Sequence, residues 1–135
     1  MDQKPWLKHY DQGVPNNIDY PPVPLFKLLE EAAKKYPDSP CTIFKGAKIT
    51  YREMNELTDR LAAGIASLGI KKGDRVGIFM PNTPQFVITY FAILKIGGIV
   101  VATNPLYSAR EIEHQVNDAG IEVRGRNQRG NASVF

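Results

Sequence analysis

A chain of 135 residues with 43% hydrophobic content can bury one modest core, and its composition excludes a fibre, a disordered segment or a disulfide scaffold. The net charge of +3 sits in the tail: with Arg124, Arg126 and Arg129 set aside, the fourteen remaining basic residues balance the fourteen acids. A neutral body with no aromatics set among basic residues carries no nucleic-acid footprint. The single cysteine, Cys41, excludes an internal disulfide and fits a reducing compartment. Residues 1–6 lack the apolar core of a secretory signal, so the cytoplasm is the default expectation.

In chain order, residues 1–24 are rich in Pro, Asn and Asp and read as an extended N-terminal arm whose Trp6 and Tyr10 pack on a larger domain. From residue 25 to 36, Leu25, Leu28, Leu29, Ala32, Ala33 and Tyr36 recur at helical spacing, and Pro37 ends the run, which predicts a core-facing helix. Residues 41–44 and 47–50 flank Lys45-Gly46 as a hairpin. Thr50 with Glu53 then forms a capping box for a helix that presents Leu57, Leu61, Ile65 and Leu68 on one face and closes at Gly69.

Residues 75–80 and 99–103 are short, largely apolar runs that suit strands buried on both faces. The helix between them is expected to be capped by the Thr83 hydroxyl, to start at Pro84 and to stop at Gly97-Gly98. The apolar stretch at residues 86–102 is broken by Thr89, Lys95 and two glycines, and so reads as a buried helix and strand rather than a membrane span. Ser108 with Glu111 repeats the capping box, Gly120 ends that helix, and residues 121–123 begin another strand. Residues 124–135 show neither strand alternation nor a helical face, and they read as a tail foreign to the fold, such as a frameshift or a mis-called gene end would produce, with a genuine divergent or spliced terminus as the milder alternative. The expected class is α/β: a partial doubly wound sheet with βαβ crossovers over residues 25–123.

The run MPNTPQFVITYFAILKIGGIVVATNPLY, with SAREIEHQVNDAG after it and KITYREMNELTDRLAAGIASLGIKKGDRV before it, resembles the N-terminal part of AMP-forming acyl-CoA synthetases. The opening residues are most similar to bacterial long-chain fatty acid–CoA ligases, and the likeness covers roughly residues 3–123. It implies an enzyme that joins a fatty acid to the α-phosphate of ATP and passes the acyl group to coenzyme A, with Mg2+ as the metal partner. It also implies a Ser/Thr/Gly-rich loop ending in Pro-Lys-Gly, a Thr-Glu motif, a ribose-binding Asp and a C-terminal catalytic lysine. None of these motifs occurs in this sequence. No catalytic residue and no metal ligand is therefore assigned, and the 135 residues alone are expected to be inactive.

Other site readings fare worse. Gly64, Gly69, Gly73 and Gly77 form neither a dinucleotide fingerprint nor a P-loop. Glu111-x-x-His114 is half of a di-iron spacing with no second copy, and reads as a solvated helix face. His9 and Cys41 have no sequence partners for a triad or metal site, and Asp74-Arg75 reads as a surface ion pair. Asn82 and Asn104 follow the two parallel strands at their carboxyl ends, where ligands gather in open sheets, so they are the cofactor-proximal candidates. Their plainer reading is that both amides hold turns.

Three functions compete at this stage. The first is a piece of a long-chain fatty acid–CoA ligase, cytoplasmic or peripheral to a membrane through its substrate. The second is a stand-alone binding or dimerisation module pairing with a full-length synthetase. The third is a small nucleotide-binding protein, which Met80-Pro81-Asn82-Thr83-Pro84 fails as a phosphate loop. A sheet with an unpaired edge also offers a route to self-association.

Overall fold

The structure is a computed structural model that describes residues 4–121. The arm is mostly extended, but Pro5–His9 forms a 3₁₀ turn with proline at its start and no buried residue. Trp6 is 54% and Tyr10 is 44% exposed, so neither is packed away by the described residues.

Helix α1 (Phe26–Lys35) buries only Leu29. Leu25, Leu28 and Tyr36 are about half exposed, which corrects the expectation that the whole stripe faces a core. The helix touches α2 and α3 along a line narrower than its apolar face, and the described residues cover no more of it. Strands β1 (Pro40–Phe44) and β2 (Ala47–Thr50) form the predicted hairpin, with a register shift between Pro40 and Thr42 that puts Cys41 in an irregularity. The turn works because both central residues are left-handed, Lys45 at φ 48° and Gly46 at φ 83°, the conformation that matches strand twist.

Helix α2 (Tyr51–Ser67) opens on the expected capping box: Thr50 Oγ1 accepts from the Glu53 amide at 3.2 Å, and Glu53 accepts from the Thr50 amide at 2.8 Å. Its buried stripe is Met54, Thr58, Ala62 and Ile65. Leu68 is 57% exposed, so the predicted face was rotated from the true one. Small Ala62 marks the contact with α3 (Pro84–Lys95), where it packs in one core with Ala92 and Ile93. Thr58 satisfies its buried hydroxyl by donating to the Met54 carbonyl at 2.7 Å.

β3 (Arg75–Phe79), α3 and β4 (Ile99–Thr103) form the crossover, and the two strands pair in parallel with Val76 opposite Val100 and Phe79 opposite Thr103. β3 is buried along Val76-Gly77-Ile78, whereas Ile99 is 47% exposed, so only β3 meets the doubly buried expectation. The core is Ala62, Ile65, Ile70, Val76, Ile78, Ala92 and Ile93. Gly97 at φ 77° ends the crossover helix, and Gly98 is packed so closely that a Cβ there would meet Ile93 Cγ2 at 2.8 Å. Thr83 is extended at the start of α3 but its hydroxyl makes no capping bond, which corrects that expectation. Pro84 at the first position removes one amide needing a partner, and the Phe86 amide donates to the Thr83 carbonyl instead.

Helix α4 (Ala109–Ala119) carries the second capping box and ends at Gly120, left-handed at φ 63°. It lies across the sheet from α3. Val76 and Ile78 face the core under α3, while Gly77, Phe79 and Thr103 face Ile112 and Val116 of α4. Helices on both faces of a parallel pair make the fold α/β and doubly wound. The strand expected at residues 121–123 and the tail at 124–135 lie outside the described residues, apart from buried Ile121.

Candidate functional site

A cavity of about 530 Å³ opens at the carboxyl ends of β3 and β4, lined by Met80, Pro81, Asn82, Phe86, Asn104 and Leu106 among others. The parallel register places these ends side by side, because Phe79 and Thr103, the last residues of the strands, are directly paired. The two candidate asparagines thus line one cavity, as their positions after consecutive strands imply. Their chemistry differs. Asn104 Oδ1 accepts from the Leu106 amide at 3.0 Å, the turn role expected of it. Asn82 is exposed and takes no side-chain hydrogen bond among the described residues, so the same turn role does not extend to it. Phe86 lends the cavity an apolar wall and stacks on Tyr90 along α3, with ring centroids 6.2 Å apart.

Among the described residues the lining holds no lysine, arginine, histidine or carboxylate. A triphosphate needs cations or a cradle of converging amides, and Mg2+ needs carboxylate oxygens. These residues fit neither group, and no chemical step is routed through them. Among the described residues no group of three His, Cys, Asp or Glu side chains could hold a metal. Glu111 is committed elsewhere: the hydroxyl and amide of Ser108 both donate to it at 2.7 Å and hold its carboxyl below the usual carboxylate range. His114 beside it is exposed. Cys41 is half-buried, and burial pushes its thiol up, away from the reactive thiolate.

Asp74 departs from expectation. Its carboxylate accepts from the Lys71 amide at 2.8 Å and so ties the loop before β3, and no Asp74–Arg75 ion pair forms among the described residues.

The polar centre that sequence reading missed is Lys95. Its side chain is 8% exposed, and its ammonium lies 2.6 Å from Asp59 Oδ1, 2.8 Å from Asn55 Oδ1 and 3.8 Å from Glu30 Oε1. A lysine in an otherwise apolar helix, with Asn55 and Asp59 one turn apart on α2, was the available signal. The cluster joins α1, α2 and α3 and stands apart from the cavity, so it positions helices.

No described helix is long and apolar enough to cross a membrane. The profile of the AMP-binding enzyme family matches residues 29–124. A long-chain-fatty-acid–CoA ligase of Bacillus subtilis is 43% identical over 125 residues, which is 91% of this chain and 22% of that protein. The ligase of Yersinia pestis is also 43% identical, over 87% of this chain and 21% of its own length. The chain therefore spans about a fifth of the length of the curated relatives it matches. Among solved structures, the Klebsiella oxytoca NpsA N-terminal subdomain in complex with anthranilyl-AMSN superposes with a TM-score of 0.70 at 33% identity, covering 71% of this chain and 25% of that one. A Mycobacterium tuberculosis fatty acyl CoA synthetase gives 0.67 at 31% identity, covering 70% and 19%. With the crossover, both capping boxes and the doubly wound sheet in place, this chain belongs to the AMP-binding enzyme family.

Proposed function

We propose that residues 4–121 build the opening layer of the large domain of a long-chain fatty acid–CoA ligase, a cytoplasmic enzyme that activates a fatty acid with ATP and transfers the acyl group to coenzyme A. In that reaction a carboxylate oxygen attacks the α-phosphorus of ATP and pyrophosphate leaves. The thiol sulfur of coenzyme A then attacks the acyl carbonyl and AMP leaves. The observation that carries the reading is the 43% identity to such a ligase across 91% of this chain.

The role of the described residues is scaffolding. They bring two parallel strand ends together and present an uncharged cavity there, which borders the substrate cleft without holding phosphate. ATP, Mg2+ and coenzyme A belong to groups that these 135 residues do not contain, so the chain taken alone turns over no substrate.

The test is a graft. Residues 4–121 replace the aligned stretch of the Bacillus subtilis ligase, and ATP- and CoA-dependent palmitoyl-CoA formation is followed. Activity within about tenfold of the parent ligase is expected, a loss of no more than about 1.4 kcal/mol in transition-state stabilisation. A soluble, folded graft that forms no palmitoyl-CoA would overturn the reading.

A further inference from the structure

The β1–β2 hairpin ends in a tip made of Ile43, Phe44, Lys45 and Lys48, and no acid occurs anywhere in residues 39–52. Successive strand residues point to opposite faces, yet Ile43 is 65% and Phe44 38% exposed, so the described residues leave both faces of the tip open. The root differs: Cys41, Thr42, Ile49 and Thr50 are half-buried. The hairpin therefore projects from the body and carries apolar side chains outward.

The charge at the tip is unopposed. Neither Lys45 nor Lys48 has an ion-pair partner among the described residues. The acids that flank the hairpin in sequence are committed at its root: Asp38 accepts from Arg52 at 2.6 Å, and Glu53 accepts from the amide and hydroxyl of Thr50. Lys45 Nζ lies 5.6 Å from the centre of the Phe44 ring, so cation and apolar surface are presented together. The two-residue turn is fixed by left-handed Lys45 and Gly46, and a preformed tip loses little freedom on binding. Ile43 and Phe44 also line a groove of about 280 Å³ with Asn82 and Phe86, which line the larger cavity too. The tip thus stands beside the carboxyl end of β3, and among the described residues the groove between them carries no charged side chain.

We propose that the tip of the β1–β2 hairpin docks on an anionic lipid surface, with Ile43 and Phe44 entering the headgroup boundary and Lys45 and Lys48 meeting lipid phosphates. Apolar residues flanked by cations, with no acid among them, match the two attractions such a surface offers, burial of apolar area and neutralisation of charge. An apolar protein groove would take Ile43 and Phe44 but would leave both lysines to be desolvated, whereas a layer of phosphates receives all four side chains. Docking there brings the carboxyl ends of β3 and β4 close to the bilayer in which a fatty acid dissolves, and this consequence rests on the ligase reading proposed above. Vesicle binding needs no turnover, so its failure is distinguishable from a failure of the graft to form palmitoyl-CoA.

The test is co-sedimentation of the full 135-residue chain with vesicles of phosphatidylcholine alone and with vesicles in which about a third of the lipid is phosphatidylglycerol, alongside circular dichroism of each variant. Wild type should bind the anionic vesicles more tightly, and added salt should weaken that binding. Lys45→Asn with Lys48→Gln should weaken it about twenty-five-fold, at about fivefold for each lysine, and asparagine keeps the left-handed turn. Ile43→Thr keeps a β-branched residue on an exposed strand position and should weaken binding at least about threefold with the charge unchanged. Lys71→Gln with Lys72→Gln makes the same change in charge on exposed residues before β3, at the opposite end of the sheet, and should leave binding within about twofold. Lys48→Gln alone should lose about fivefold, which keeps the test decisive if the turn variant misfolds. No preference for anionic vesicles, binding unchanged in the folded hairpin variants, or an equal loss in Lys71→Gln with Lys72→Gln would each overturn the proposal.

Discussion

Replacing Lys95 by methionine removes the cation that ties α3 to α1 and α2 while keeping most of the volume of its stem. Its ammonium bonds Asp59 at 2.6 Å and Asn55 at 2.8 Å, yet Asp59 is 57% exposed. The carboxylate left behind is hydrated and keeps its contact with Asn55 Nδ2 at 3.2 Å, so no buried charge is stranded. A hydrogen bond to a charged group contributes about 1.5–3 kcal/mol, solvent screening lowers that here, and the lysine no longer has to be desolvated. Lys95→Met should therefore cost about 1–2 kcal/mol. Asp59→Ala should cost more, about 2–3 kcal/mol, because it leaves an 8% exposed ammonium with only Asn55 and a carboxylate 3.8 Å away. Urea unfolding with linear extrapolation measures both, and the double variant should fall at least about 0.5 kcal/mol short of the sum. A larger loss for Lys95→Met than for Asp59→Ala, or strict additivity, would refute the reasoning.

Two glycines should respond with opposite sign. Gly98→Ala drives a Cβ to 2.8 Å from Ile93 Cγ2 and should cost about 1–3 kcal/mol, whereas Gly64→Ala in α2 meets nothing within 4 Å and should gain about 0.5–1 kcal/mol; thermal unfolding reads both. Thr50→Ala and Ser108→Ala each remove one half of a capping box and should cost about 1 kcal/mol, with helix loss near the affected terminus visible in amide exchange. The acid limb of stability depends on the same boxes. The backbone amide and then the hydroxyl of Thr50 hold the Glu53 carboxyl below its usual range, and the hydroxyl and then the amide of Ser108 do so for Glu111. Both groups take up protons more readily when unfolded. Their contribution is present above the unfolded carboxylate pKa of about 4.3 and is lost as pH falls through the lower folded values. Glu53→Gln with Glu111→Gln should flatten that loss in a pH series of denaturation midpoints.

How much of this was legible in the sequence depended on whether the determinant was local. Both capping boxes, the Lys45-Gly46 turn and the stops at Gly69, Gly97 and Gly120 are set by residues within a few positions, and the structure has them where the spacing put them. The Thr83 cap was misread because a hydroxyl in the right place still has to turn toward an amide, and Pro84 had already removed one of those amides. The face of α2 was misread because large apolar residues were counted as the contact, whereas packing against α3 selects small Ala62. Asn82 and Asn104 could be placed together from the parallel crossover alone. The Lys95 cluster could not, since it joins partners more than ten residues away whose side-chain geometry no periodicity encodes.

The central claim is that these residues form the wall of an acyl-CoA ligase and not its chemistry. The most direct measurement is palmitoyl-CoA formation by the Bacillus subtilis graft carrying Asn82→Ala with Asn104→Ala. The account predicts kcat within about threefold of the unsubstituted graft, or about 0.7 kcal/mol, because neither amide meets the reacting groups. A loss above about a hundredfold with the unfolding midpoint unchanged would place an asparagine in the reaction and contradict it.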